Sequence, residues 1–249
     1  MKKQGRYFLK DSIRRTVDFS MTDQNKGVEP PPVQKPCPQE AARVDLPEPD
    51  PGWQGKIPLA DAMARRESRR KYGKEYLSLE ELSFLLWATQ GIKGAPSGGH
   101  AFRTVPSAGC RHAFETYLAV FRVKGLEKGI YRYLPVEHQL TAISRPAGIE
   151  RLTIGAALNQ KFAGSGAATF IWTSIPYRME WRYGEAAYKV IALDAGHICQ
   201  NLYLACEAIE AGTCAIAAYD QEKADALVGA DGEEEFVIYM APVGKREPQ

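Results

Sequence analysis

The segment Arg65–Lys71 reads RRESRRK and places five cations in seven residues. The chain as a whole is nearly balanced, with 32 Lys and Arg against 30 Asp and Glu. Arg66, Ser68 and Arg70 stand at i, i+2 and i+4. In an extended chain all three side chains point to one side; in a helix Arg66 and Arg70 still share a face. Two guanidinium forks and a hydroxyl converging on one spot suit a phosphate monoester. Taken alone, the run reads first as a solvated helix end. Three other stretches bear on the choice. Val105-Pro106-Ser107-Ala108-Gly109 carries small side chains after a proline, which lets backbone amides approach a flat ligand. Gly212-Thr213-Cys214-Ala215-Ile216-Ala217-Ala218 leaves room at Ala217 and Ala218 for a planar ring. Val243-Gly244-Lys245-Arg246 adds two cations at the end of the last apolar run.

Other reactive side chains are more scattered. Cys110 follows the Pro106–Gly109 loop, and nothing beside it in sequence would lower its pKa, so it reads as a small packing residue. Asp194 and His197 stand at i, i+3, the spacing of an acid–base pair or of two structural hydrogen bonders. Arg103 precedes the loop and is placed to reach a substrate or cofactor. Tyr177, Arg178, Trp181 and Arg182 would make an aromatic and cationic lid, or plain surface packing. Several chemistries are absent: there is no GxxxxGK[ST], no HExxH, no GxSxG, and no GxGxxG after a strand. Four histidines and five cysteines show no metal-ligand spacing.

The composition is that of a globular protein with a real core, 45% hydrophobic over 249 residues. A net charge of +2 recruits neither nucleic acid nor an acidic membrane. An odd number of cysteines without a metal pattern favours a reducing compartment. The basic N-terminus lacks an apolar h-region, and no apolar run reaches a membrane span, so a cytoplasmic protein is expected. Nine of the 16 prolines lie between Pro30 and Pro58, a stretch that cannot hold a helix or a central strand. It is expected to be an arm packed on the body through Val33, Val44, Leu46 and Trp53. Residues 1–56 thus form an N-terminal segment and arm, and residues 57–249 the main domain.

Within the body, LADAMARRES reads as a helix entering the cationic run. Ser78 and Glu81 form a capping box for the helix LEELSFLLWATQG. TYLAVFRV and GIYRYLP read as a hairpin, IERLTIGAALNQ as a helix, and AATFIWTSI as a buried strand. The long run YGEAAYKVIALDAGHICQNLYLACEAIEAG is apolar round most of its circumference and predicts a central helix. CAIAAY is expected to be a strand, DQEKADALVG a helix capped by Asp220, and EFVIYMAPVGK a closing strand. This order predicts an α+β fold, not a doubly wound sheet.

The collinear pieces RRESRR, LSLEELSFLLWATQGI, RTVPSAGCRHAFETYLAV, KGIYRY, DAGHICQNLYLACEAIEAGTCAIAAYD and GEEEFVIYMAPVGKR resemble the FMN-dependent nitroreductase superfamily. Within it they look most like the SagB-type dehydrogenase subgroup, related to azoline dehydrogenases of thiazole and oxazole peptides. The resemblance implies a nitroreductase-like fold: a mainly antiparallel sheet flanked by helices, in an intertwined homodimer built on the long helix. It further implies FMN at the dimer interface and NADH or NADPH as reductant of a small-molecule substrate. Carried onto this chain, Arg66, Glu67, Ser68 and Arg70 match the segment at the FMN phosphate and ribityl chain, and Lys245 with Arg246 the C-terminal cations at that phosphate. Pro106, Ser107, Ala108 and Gly109 match the loop covering the isoalloxazine from the partner subunit. Ala217 and Ala218 match the backbone facing flavin N5; Arg103, Tyr177 and Arg178 fall on the substrate side. Flavin, not a side chain, carries the redox chemistry. The azoline enzymes' catalytic Lys-Tyr pair has only Lys71-Tyr72 as a counterpart here, beside the phosphate segment, so azoline oxidation is not the first expectation.

Overall fold

A computed structural model of the protein describes residues 2–49 and 56–247. Trp53, expected to anchor the arm, lies outside the described residues. The helices are α1 (Lys2–Leu9), α2 (Leu59–Arg65), α3 (Leu79–Gln90), α4 (Ile149–Ala156), α5 (Tyr177–Tyr183), α6 (Ala187–Ala208) and α7 (Gln221–Val228). The strands are β1 (Arg43–Asp45), β2 (Phe114–Val120), β3 (Gly129–Leu134), β4 (Gln139–Ser144), β5 (Ala168–Ser174), β6 (Ala211–Thr213) and β7 (Phe236–Lys245). They form one seven-stranded sheet in the order β1-β4-β3-β2-β5-β7-β6, every pair antiparallel. This is the mainly antiparallel α+β architecture flanked by helices that the sequence predicts.

Local chemistry explains the elements. Ser78 accepts from the Glu81 amide at 3.1 Å and Glu81 accepts from the Ser78 amide at 2.9 Å, which closes the capping box of α3. Asp220 caps α7 through the Lys223 amide. Strands β2 and β5 are buried along their whole length, as continuous apolar runs require. Helix α6 packs Ile191, Ala195, Ile198, Leu202, Ala205 and Cys206 against the core. Its opposite side, with Tyr188, Ala192, Leu193 and Gly196, faces solvent in the single chain, so α6 is buried on one side and not on most sides.

Two expectations are corrected. CAIAAY is not a strand: β6 ends at Thr213, and afterwards the backbone pairs with β7 only through a single bridge, Ile216 to Met240. Its small apolar residues signal close packing, not continued pairing. The sheet also contains β4, which the sequence pattern does not announce; its burial falls away after Thr141 and lacks alternation. The proline-rich segment does contribute β1, but at the sheet edge, where missing amide donors are tolerated. Val44 and Leu46 of this arm pack on the core.

Candidate functional site

Helix α2 stops at Arg65, and the next residues are extended. The Arg69 amide donates to the Thr213 carbonyl at 2.9 Å, and Ser68 bridges Thr213 in parallel. The cationic run thus lies along β6 at the edge of the sheet. Arg69 is held by two carboxylates, the buried Glu207 at 2.6 Å and the exposed Glu67 at 3.2 Å. Arg66 and Arg70 lie over aromatic rings, Arg66 at 5.3 Å from the centroid of Tyr203 and Arg70 at 5.6 Å from that of Phe162.

Residues 67–71, Lys245 and Arg246 line one open cleft of about 810 Å³, with Glu75, Glu210 and Glu247 at its walls. Both ends of the chain's cationic signature therefore meet there, while Arg66 stands beside the cleft over Tyr203. The two C-terminal cations are partly engaged by the protein. Lys245 Nζ donates to Glu81 Oε1 at 2.5 Å and to the Ile209 carbonyl at 2.7 Å. Arg246 bonds the Glu207 carboxylate and the Ala211 carbonyl. Glu207, nearly fully buried, is thus bracketed by Arg69 and Arg246.

Beyond β6 the chain presents Ala217 and Ala218, both exposed, with the Ala218 carbonyl accepting from Gln160 at 2.9 Å. Tyr203 joins this segment to the cationic run: its hydroxyl oxygen lies 2.9 Å from Ser68 Oγ and accepts from the Ala215 amide at 2.9 Å. Burial pushes the Cys214 thiol upward, which keeps it protonated and unreactive. The buried Thr213 hydroxyl has no partner among the described residues.

The Pro106–Gly109 loop sits elsewhere on α6. Asp194 Oδ2 accepts from the Ala108 amide at 3.1 Å, and Ser107 Oγ accepts from the His112 amide at 2.9 Å. Asp194 therefore holds the loop; burial pushes its carboxyl above the usual range. Its other oxygen is 3.6 Å from His197. Gly109 has φ +57, and a Cβ there would meet the Tyr183 hydroxyl at 2.5 Å, so glycine is favoured at this position. Nine helical residues separate Asp194 from Tyr203, about 14 Å of rise. In a single chain, the loop and the cationic run occupy different stations on the helix.

The substrate-side candidates are occupied by internal contacts. Arg178 is 2% exposed and donates to Glu115 at 2.6 Å. Arg103, 5% exposed, donates to Gln90 Oε1 and to the Val33 carbonyl of the arm, each at 2.6 Å. Burial and the neighbouring Arg178 lower its pKa to about 10. The Tyr177 hydroxyl donates to Asp23 at 2.8 Å, and Trp181 Nε1 to the Val28 carbonyl at 2.9 Å. The lid segment α5 is therefore tied to the N-terminal segment. Cys110 donates to the Ala101 carbonyl at 3.1 Å, and its sulfur is 3.7 Å from His112 Nε2. Sequence reasoning missed Tyr203, Glu207 and Glu115. The last carried a signal, an acid inside the apolar run FETYLAV; Tyr203 and Glu207 carried none beyond their helical register with the buried face.

This arrangement has known relatives. The nitroreductase family model matches residues 63–245, and the chain belongs to that family. A candidate nitroreductase of Methanocaldococcus jannaschii is 32% identical over 77% of this chain and 92% of its own length. The trifolitoxin-processing protein TfxB of Rhizobium leguminosarum is 32% identical over 52% of this chain and 37% of its own. The crystal structure of a candidate nitroreductase from Anabaena variabilis superposes with a TM-score of 0.68 at 25% identity, covering 84% of this chain and 42% of that one. The chain thus spans most of the first relative and less than half of the other two. Among the described residues, no helix is long and apolar enough to cross a membrane.

Proposed function

We propose that this protein is an FMN-dependent oxidoreductase that acts as a cytoplasmic homodimer on a small organic substrate. The observation that carries the reading is the open cleft at the β6 edge, where Ser68, Arg70, Lys245 and Arg246 from two distant stretches of the chain meet beside a segment of small residues. The donor set fits the flavin cofactor: guanidinium forks and a hydroxyl suit a phosphate monoester, Ala217 and Ala218 leave room for a ring, and the buried Thr213 hydroxyl, in the strand that Ser68 bridges, is left without a partner among the described residues. When bound, FMN supplies hydride transfer from NADH or NADPH to a small organic acceptor in alternating, ping-pong half-reactions.

The residues' own tasks follow from their chemistry. Arg66 and Arg70, with Ser68 between them and Glu67 in the same strand, would hold the phosphate. Lys245 and Arg246 would add charge from the opposite wall while remaining anchored on Glu81 and Glu207. The backbone of Ala217 and Ala218 would face the ring without steric obstruction. Pro106, Ser107, Ala108 and Gly109, held by Asp194, would cover the ring of the partner's site and exclude water. The separation of about 14 Å along α6 supports that division between subunits. Arg103, Tyr177 and Arg178 would bound the substrate side by holding the loop and α5 in place.

The likeness to a toxin-processing protein over half of this chain favours one second reading, a SagB-like flavin dehydrogenase oxidising a peptide azoline or another small substrate. Lys71-Tyr72 at the cleft is its only Lys-Tyr dipeptide.

The test is a visible absorption spectrum of the protein purified without added cofactor, repeated after adding FMN and desalting. A retained flavin band that bleaches with NADH or NADPH, and is restored by a nitroarene or quinone, supports the first reading. Restoration only with an azoline-containing peptide supports the second. A band that neither reductant bleaches leaves a flavin-binding module without turnover. The absence of any band removes the proposal.

A further inference from the structure

We propose that Tyr203 is a positioning residue that couples the phosphate end of the site to the backbone at its Ala217–Ala218 end; this rests on the FMN reading above. Three contacts converge on this one side chain. Its hydroxyl oxygen is 2.9 Å from Ser68 Oγ, it accepts from the Ala215 amide at 2.9 Å, and its ring lies 5.3 Å beneath the Arg66 guanidinium. Arg66 and Ser68 belong to the cationic run, and Ala215 to the segment leading into Ala217.

Proton accounting gives the link a direction. A backbone amide only donates, so the Tyr203 oxygen must accept from Ala215. An anion only accepts, so Ser68 must donate its single proton to a phosphate placed beside it. Ser68 then has to accept from Tyr203. Once the anion is present, one orientation satisfies every group: the Ala215 amide to Tyr203, the Tyr203 hydroxyl to Ser68, the Ser68 hydroxyl to phosphate. Such a chain polarises cooperatively. Without the anion, either hydroxyl is able to donate, and the Ala215 bond is correspondingly weaker. The segment's other side is already fixed, since the Ile216 amide donates to the Met240 carbonyl at 2.7 Å and the Ile216 carbonyl accepts from the Met240 amide at 3.1 Å. Residues 215–216 are therefore clamped between β7 and Tyr203, and Ala217 and Ala218 take their direction from that clamp. Tyr203 itself stands on α6 in the turn before the buried Cys206 and Glu207, so its backbone does not follow the ligand.

Tyr203→Phe removes the hydroxyl and keeps the ring under Arg66. One hydrogen bond is worth about fivefold in an equilibrium constant. The variant, as a full-length dimer, is expected to bind oxidised FMN about fivefold more weakly. Its ratio of affinities for oxidised and reduced FMN should also shift by about fivefold, ~20 mV for a two-electron couple. Amide hydrogen exchange at Ala215 should quicken about fivefold, and FMN should slow it less than in the native protein. Ser68→Ala should add little to Tyr203→Phe in the double variant, because both break one chain. A merely structural tyrosine would move stability while leaving the potential, the exchange response to FMN and additivity unchanged, and that result overturns the inference alone. A native protein that takes up no FMN overturns it together with the function on which it rests.

Discussion

The molecule concentrates positive charge in two places and treats it in opposite ways. At the β6 edge, Arg66, Arg70, Lys71, Lys245 and Arg246 stand at or near an open cleft. Around the start of β2, Arg103, Arg111, Arg132 and Arg178 are all at most 6% exposed. There Glu115, also buried, takes the Arg178 fork and the Lys35 amide of the arm, while Arg132 donates to the Pro36 carbonyl. Glu235 accepts from Tyr117 and Thr173 and pairs with Lys35. Buried charge must be answered within the protein, so the second cluster fastens the N-terminal arm and the lid to the sheet. Charge that remains beside water is available to a ligand. A high density of arginine is therefore not itself a sign of a site; the difference lies in where the counter-charge sits.

The comparison breaks most sharply at Glu115. Glu115→Ala strands Arg178 and unfastens Lys35, and loss of one partner of a buried pair costs about 3–5 kcal/mol. Urea unfolding should register that loss, while the molecules that remain folded should bind FMN with native affinity. The converse double variant, Arg66→Ala with Arg70→Ala, should leave the unfolding curve close to native. It should lose about two to four decades of FMN affinity, two charge-assisted hydrogen bonds at about 1.5–3 kcal/mol each. Native flavin retention in that variant would show the cleft to be as architectural as the Glu115 cluster.

A pH series sharpens the same contrast. His112 faces Arg103, Arg111 and Arg178, with Cys110 at its Nε2. Burial first, then Arg103, depresses its pKa from 6.5 to about 3 in the folded protein. Between these values the unfolded chain binds a proton that the folded one refuses. Stability contributed by the neutral ring is thus complete above pH 6.5 and is lost as pH falls toward 3, at up to about 1.4 kcal/mol per pH unit. His112→Gln should flatten the dependence of the urea midpoint between pH 7 and pH 5 by about 1 kcal/mol or more. An unchanged slope would mean that the imidazole titrates freely among those arginines.

What the sequence discloses follows the same division. The capping box at Ser78, the Asp220 cap, the buried runs of β2 and β5 and the long α6 are local or periodic signals, and each appears where it is expected. Ser68, Arg70, Lys245 and Arg246 are legible as a set, since charge left at the surface is displayed in the sequence as clusters of cations, and they share one cleft. The partners of buried charge are not legible. Nothing in FETYLAV says that Glu115 meets Arg178 from sixty residues away, or that Lys35 reaches Glu235 across the sheet. CAIAAY misleads for a related reason: close packing selects small apolar residues whether or not a strand continues. Tyr203 reads as one more helix residue until the fold sets its hydroxyl between Ser68 and Ala215.

Lys245 stands on the boundary between the two treatments, and its neighbour Glu81 offers the finest cut. One oxygen of Glu81 completes the capping box by accepting from the Ser78 amide; the other takes the Lys245 ammonium at 2.5 Å. The carboxylate therefore anchors β7 to the start of α3 and competes with any anion for the same cation. Glutamine serves a capping box nearly as well as glutamate, so Glu81→Gln should leave α3 capped and cost less than about 1 kcal/mol, the range for partly exposed pairs. With the competing charge gone, Lys245 should turn toward the cleft, and FMN should bind about two- to threefold more tightly, as expected for one partly screened charge. Titration of flavin fluorescence at low salt would resolve the change. Weaker binding would place Lys245 with the architecture: its position would then depend on Glu81, and the phosphate would rest on Arg66, Ser68, Arg70 and Arg246.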